Sequence, residues 1–87
     1  MKKLCFTPNG WADYIYWQEQ DKKTLRKINI LIKDIARSGY CSIGKTEPLS
    51  GNLSGLHSVR IDKKNRIIYK IIDDELQIYS CRDHYEL

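Results

Sequence analysis

By their pattern of apolar and polar positions, the first 38 residues of the chain read as helix after one short strand, and the last 31 read as strands. Lys2 to Phe6 is short and half apolar, which predicts a first strand. Thr7-Pro8 predicts a helix start, with Thr7 as N-cap and Pro8 at the first helical position, where its missing N–H costs nothing. Trp11, Tyr14, Ile15 and Gln18 then fall on one stripe at i, i+3, i+4, i+7 spacing. Asp21 is suited to cap a second helix. In it Leu25, Ile28, Leu31, Ile32 and Ile35 repeat at helical spacing, while Lys22, Lys23, Arg26, Lys27 and Lys33 fill the other faces. Gly39 predicts the stop just past the last turn. The two helices are expected to pair as an antiparallel hairpin whose shared apolar stripe covers a sheet. Helices followed by strands make the expected fold class α+β.

Residues 39–56 carry four glycines (Gly39, Gly44, Gly51 and Gly55) and Pro48, and they read as a long irregular connection, a place to look for a site. The strands beyond it can be registered by parity, because directly opposed residues share a face. With Asp73-Asp74 as a two-residue turn, Ile71 opposes Leu76, Tyr69 opposes Ile78 and Ile67 opposes Ser80, which makes one apolar face for the helices to cover. The other face then carries Arg66, Lys70, Gln77, Tyr79 and Cys81. Val59 and Ile61 belong with the core, which puts Arg60 beside Arg66 on the open face through an odd-length loop around Asp62-Lys63-Lys64-Asn65. The pattern therefore predicts a half-covered antiparallel sheet whose bare face is basic, a candidate phosphate-binding surface.

Composition narrows the class. At 87 residues and 10.3 kDa, residues 1–87 are expected to form one domain. No apolar run approaches the roughly 18–20 residues of a membrane span. The apolar stretch after Lys2-Lys3 ends at Thr7-Pro8, too short for a signal peptide, so a cytoplasmic protein is expected. Cys5, Cys41 and Cys81 are odd in number and widely spaced, which fits reduced thiols rather than a disulfide framework. A net charge of +4 permits an anionic polymer as partner.

Candidate chemistry is sparse. Arg60, Lys63, Lys64, Arg66 and Lys70 cluster within eleven residues. His84, between Arg82-Asp83 and Tyr85, is of the residue type whose unperturbed pKa lies near the working pH, which suits proton transfer. Glu47 is a loop carboxylate, and His57 precedes a strand without an obvious partner and is read as surface. Cys41, His57, Cys81 and His84 are metal-ligand types, but no C-x-x-C or H-x-x-x-H pair anchors them, so no metal is expected. Trp11, Tyr14, Tyr16 and Trp17 read as core and interface of an amphipathic helix. Spacing alone does not choose among these roles.

Taken in order, the segments resemble the YoeB/Txe toxins of the RelE superfamily. The resemblance rests on Trp11-Ala12-Asp13-Tyr14-Ile15-Tyr16-Trp17-Gln18, Asp21-Lys22-Lys23 and Lys27 to Ile35. It continues in Gly44-Lys45-Thr46-Glu47-Pro48-Leu49, Asn52-Leu53-Ser54-Gly55, Arg60-Ile61, Arg66-Ile67-Ile68-Tyr69 and Ser80-Cys81-Arg82-Asp83-His84-Tyr85. It implies a RelE-like domain with two helices on one face of an antiparallel sheet and RNA on the other. The implied activity is that of a type II toxin, a ribosome-dependent endoribonuclease that cuts mRNA in the ribosomal A site and stops translation. Carried over by motif, Glu47 is the general base, Arg66 stabilises the transition state, His84 is the general acid and Tyr85 orients the substrate. The roles of Glu47 and His84 are interchangeable on sequence grounds. Arg60, Lys63, Lys64, Lys70 and Arg82 are the RNA-binding candidates.

No cofactor is implied. The implied partners are a YefM-like antitoxin with an acidic segment over the basic face, the 70S ribosome, mRNA and a second copy in a homodimer, with a monomer still open. Some positions depart from the family pattern: Ser50 replaces a common lysine, Asp83 an aromatic, and His57-Ser58-Val59 an aromatic and basic stretch. A rival reading is a non-catalytic module that binds only its antitoxin or operator DNA, which would not need Glu47, Arg66 and His84 together.

Overall fold

A computed structural model describes residues 1–83. Strand β1 (Lys3–Phe6) leads into helices α1 (Pro8–Gln20) and α2 (Lys22–Ser38), followed by β2 (Thr46–Pro48), a 3-10 turn (Gly51–Leu53), β3 (His57–Arg60), β4 (Arg66–Ile72) and β5 (Glu75–Ser80). The caps are those the sequence predicts. The Thr7 hydroxyl accepts from the Gly10 amide, Asp21 accepts from the amides of Lys23 and Thr24, and Gly39 ends α2 at φ 90°. One residue, Asp21, both closes α1 and opens α2, so the helices turn back on each other sharply.

The five strands form one sheet in the order β1-β5-β4-β3-β2. Strands β2 to β5 are antiparallel neighbours, whereas β1 runs parallel to β5 at the edge, so the sheet is mixed. Parallel pairing needs a long crossover, and here the entire chain between β1 and β5 supplies it. The helices cover one face. Ile28, Leu31 and Ile35 of α2 pack with Val59, Ile67, Tyr69, Leu76 and Ile78, all fully buried.

Several expectations change in detail. The buried side of α1 is Gly10 and Trp17 rather than the Trp11 stripe, and Trp11 is 51% exposed. The reason is the lack of a side chain at Gly10, which lets α1 lie so close to β5 that an added Cβ would sit 2.3 Å from the Ile78 carbonyl oxygen. The connection 39–56 is not wholly irregular, since Thr46–Pro48 joins the sheet as an edge strand, where Pro48 loses no ladder bond.

The register of β4 with β5 is as expected from Ile72↔Glu75 to Tyr69↔Ile78, with Asp73 at φ 54° in the two-residue turn. An irregularity between Ile68 and Tyr69 then brings Ile68, not Ile67, opposite Ser80. Cys81, expected on the open face, is instead fully buried, with its carbonyl accepting from Trp17 Nε1 at 2.7 Å. His57 is half-buried rather than surface, because its register partner is Tyr69 and the two rings stack at 5.4 Å.

Candidate functional site

The helix-free face of the sheet holds a cleft of about 270 Å³ lined by Lys45, Glu47, Ser58, Arg60 and Arg66. Its construction follows from register. Glu47 on β2 opposes Ser58 on β3, and Arg60, two residues further along, opposes Arg66 on β4. Alternation places all four on one face, and the five-residue link from Ile61 to Asn65 keeps both arginines there. That link is held by Asp62, whose carboxylate accepts from the Lys64 amide at 2.8 Å and the Asn65 amide at 2.7 Å.

Two arginines directly opposite each other in a ladder repel, at a cost of order 0.2–1 kcal/mol relative to neutral pairs. Among the described residues neither has an ion-pair partner: the pairs are Arg37–Asp34, Lys64–Asp83 and Arg82–Asp83. Arg66 Nη1 is buried and finds no hydrogen-bond partner among the described residues. Buried guanidinium nitrogens are ordinarily paired, and the forked donors of arginine match phosphate oxygens. Three cations and one carboxylate thus converge on a space large enough for a phosphate and its ribose.

The carboxylate is delivered to the cleft from the helix side. Asp34 of α2, 3% exposed, accepts from Ser42 N, from Ser42 Oγ at 2.9 Å and from Ile43 N at 3.2 Å, which fixes the turn just before β2. Burial raises its pKa, but the bonds from Ser42, Ile43 and Cys41 outweigh burial and hold it down at about 2. Gly44 sits within this turn against Val59 and Leu31, with no room for a side chain. The turn therefore fixes where Lys45 and Glu47 begin.

A second clamp fixes the end of β5. Asp13 Oδ2 accepts from the Cys81 amide at 3.0 Å while Trp17 donates to the Cys81 carbonyl, so α1 grips one residue from both sides. Burial raises the Asp13 pKa, opposed by the Cys81 amide and Arg82. Two residues on, the Asp83 carbonyl accepts from the Arg66 amide at 3.2 Å and the Asp83 amide donates to Asn65 Oδ1 at 2.7 Å. The chain is thereby held beside Arg66 at its last described residue. His84 and Tyr85 lie outside the described residues.

The structure gathers Glu47, Arg60 and Arg66 and separates the other basic candidates from them. Lys70 is on the same face as Arg66 but about 13 Å along the strand, close to Gly55. Lys63 and Lys64 are exposed on the β3–β4 link, with Lys64 Nζ 3.9 Å from Asp83. Arg82 lies over the Tyr16 ring at 3.6 Å, on the helix side. Lys45 and Ser58 line the cleft without having been singled out from the sequence. Reading Lys45-Thr46-Glu47 as a strand, with its alternation, would have placed Lys45 beside Glu47. Among the described residues no three His, Cys, Asp or Glu side chains gather as a metal site requires, and no helix is long and apolar enough to cross a membrane.

A family model for the YoeB-like toxin of bacterial type II toxin–antitoxin systems matches residues 6–85. The chain belongs to the YoeB-like toxin family. The Toxin YoeB of Synechocystis sp. (strain ATCC 27184 / PCC 6803 / Kazusa) is 51% identical over 84 residues, covering 97% of this chain and 98% of the relative. Among solved structures, a YoeB/ParE toxin from Agrobacterium tumefaciens superposes with a TM-score of 0.91 at 38% identity, covering 95% of this chain and 99% of that one. The Staphylococcus aureus YoeB, 42% identical, is solved as a dimer (TM-score 0.87, covering 97% and 98%) and in a heterotetrameric YoeB–YefM complex (TM-score 0.88, covering 98% and 99%). The YoeB-like fold accounts for the two helices packed on one face of a mixed sheet.

Proposed function

We propose that this YoeB-like toxin is a ribosome-dependent endoribonuclease that cuts mRNA in the ribosomal A site and so stops translation in the cytoplasm. The observation that carries the reading is the convergence of Glu47 with Lys45, Arg60 and Arg66 in one cleft on the uncovered sheet face. RNA brings its own nucleophile. Glu47 takes the proton from a ribose 2′-hydroxyl, the 2′-oxygen attacks the adjacent phosphorus in line, and the bond to the 5′-oxygen breaks. The upstream fragment is left with a 2′,3′-cyclic phosphate. Arg66, with Arg60 and Lys45, holds the phosphate and stabilises the charge that builds on its oxygens. His84 returns a proton to the departing 5′-oxygen, and Tyr85 orients the substrate. An internal nucleophile needs no metal-activated water, so the residues named suffice.

In this reading the partners are mRNA, the 70S ribosome and a YefM-like antitoxin, with a homodimer as the free form. Charge supports the antitoxin assignment. An acidic segment laid over Lys45, Arg60 and Arg66 would neutralise them and block RNA in the same step.

The test uses translating ribosomes with wild-type protein, Glu47→Ala and His84→Ala, mapping mRNA 5′ ends by primer extension. Cuts inside the A-site codon for wild type, lost in both variants, are expected. Cleavage that survives in both variants would refute the mechanism. No wild-type cleavage where a family member cuts would leave antitoxin binding as the function.

A further inference from the structure

Most of the net charge of this protein lies outside the cleft. Helix α2 holds six of the fifteen basic residues and one of the eleven acidic ones, so it carries +5; the rest of the chain, nine basic and ten acidic residues, is net −1. All six cations (Lys22, Lys23, Arg26, Lys27, Lys33 and Arg37) are exposed, and the lone carboxylate, Asp34, is buried, accepting from the loop at Ser42 and from Arg37 at 2.7 Å, so that Arg37 alone of the six has an anionic partner among the described residues. At 3.6 residues per turn they fall within an arc of about 140°, with Ile28, Leu31 and Ile35 on the opposite side in the core. From Lys22 to Arg37 the row runs about 22 Å. A helix needs no such bias for folding. Like charges one turn apart destabilise it, and Glu at alternate positions would have served solubility equally well.

The row faces away from the cleft, because α2 covers one face of the sheet and Lys45, Glu47, Arg60 and Arg66 occupy the other. It therefore does not serve the scissile phosphate. We propose that the exposed face of α2 docks on the phosphate backbone of folded ribosomal RNA. This rests on the ribosome-dependent reading of the cleft. The cleft carries a carboxylate and room for little more than one nucleotide, which is poor equipment for affinity. A separate row of cations that read no sequence, Lys22, Lys23, Arg26, Lys27 and Lys33, is what backbone binding requires. Division of labour follows, with α2 supplying ribosome affinity and the opposite face the chemistry.

The experiment compares wild type with Lys22→Gln/Arg26→Gln/Lys33→Gln, and with Ile30→Glu, which sets an anion in the middle of the row at a half-exposed position. Binding to vacant 70S ribosomes is measured between 50 and 200 mM KCl, after thermal melts confirm that the variants fold. Each lost phosphate contact lowers the slope of log K against log salt by roughly 0.9 for a duplex, so the triple variant is expected to lose two to three units of slope and bind at least tenfold more weakly at 50 mM. Ile30→Glu is expected to weaken binding in the same direction. An unchanged slope and affinity in both folded variants would overturn the proposal. So would variants that keep ribosome affinity but lose affinity for an acidic YefM-type peptide, which would assign the face to a protein partner. Because the slope is read on vacant ribosomes, absence of wild-type cleavage would count against the nuclease reading alone.

Discussion

Gly10→Ala is the substitution whose sign tests how α1 is seated. At an exposed position inside a helix, Gly→Ala gains about 1 kcal/mol from backbone entropy. Gly10 is buried, and a Cβ there would lie 2.3 Å from the Ile78 carbonyl oxygen, 3.0 Å from the Ile78 carbonyl carbon and 3.3 Å from that of Tyr79. These are backbone atoms of β5, pinned between β1 and β4, so no side chain can swing aside. The helix must back away, which strains the bond from the Thr7 amide to the Ile78 carbonyl (3.0 Å) and that from the Thr7 hydroxyl to the Tyr79 carbonyl (3.2 Å). Overpacking of this kind costs about 1–3 kcal/mol, and loosening one hydrogen bond costs about 1 more. Less the propensity gain, the net destabilisation is about 2 kcal/mol. Unfolding entropy near 2.1 cal/mol/K per residue makes each kcal/mol worth about 5–6 °C for a chain of 87 residues. The expected result is a melting temperature about 10 °C lower, with a lower urea midpoint at unchanged m. Ala12→Gly, on the exposed side of the same helix, is the control and should cost about 1 kcal/mol through propensity alone. A Gly10→Ala protein at least as stable as wild type would refute the close approach of α1 to β5.

The clamp on Cys81 predicts that Trp17→Phe, which leaves a buried carbonyl without its 2.7 Å donor, costs about 2–3 kcal/mol in urea unfolding. Tyr14→Phe, which removes an exposed bond to Asn29, should cost under about 1 kcal/mol. For Asp34, the folded pKa of about 2 lies below the unfolded value of 3.8, so its stabilisation is fully present above pH ~4 and is lost as pH falls toward 2. The stability gap between wild type and Asp34→Asn should therefore be constant from pH 7 to about 5 and close on further acidification, and a gap that widens in acid would contradict the assignment. Alkylation of the native protein, followed by mass spectrometry, should modify Cys5 rapidly and spare Cys41 and Cys81. Both are buried, and burial pushes the Cys81 thiol up to about 12.

What could be read in advance was whatever depended on neighbours in sequence. The caps at Thr7, Asp21 and Gly39, the apolar face of α2 and the pairing of Arg60 with Arg66 follow from periods and turn lengths, which are local. The misread features each depend on a distant contact. The buried side of α1 is chosen by Gly10 meeting the β5 backbone, not by the larger Trp11. The shift that pairs Ile68 with Ser80 leaves no mark in the alternation of a strand as uniformly apolar as Ile67-Ile68-Tyr69. Within the site, Glu47 was legible only through family resemblance, because three residues of edge strand after a glycine-rich turn carry too little pattern to assign a face. Once β2 pairs with β3, Lys45 and Ser58 enter the same cleft.

The helix layer does more than bury the sheet. Asp34 of α2 ties down the turn that launches Glu47, and Asp13 and Trp17 of α1 grip Cys81, two residues before the Asp83 contact with the Arg66 backbone. The segments that lead to Glu47 and follow β5 are thus positioned by side chains of the helix layer. A cleft at a sheet edge, lined by two opposed arginines, carries a repulsion that its own side chains do not offset. Rigid support from outside allows uncompensated charge to be kept close together, which is the condition for electrostatic stabilisation without reorganisation during the reaction. The same division explains why Asp13 and Asp34 of the helix layer are hydrogen-bonded to backbone amides, while among the described residues Arg66 Nη1 keeps its donor capacity in hand.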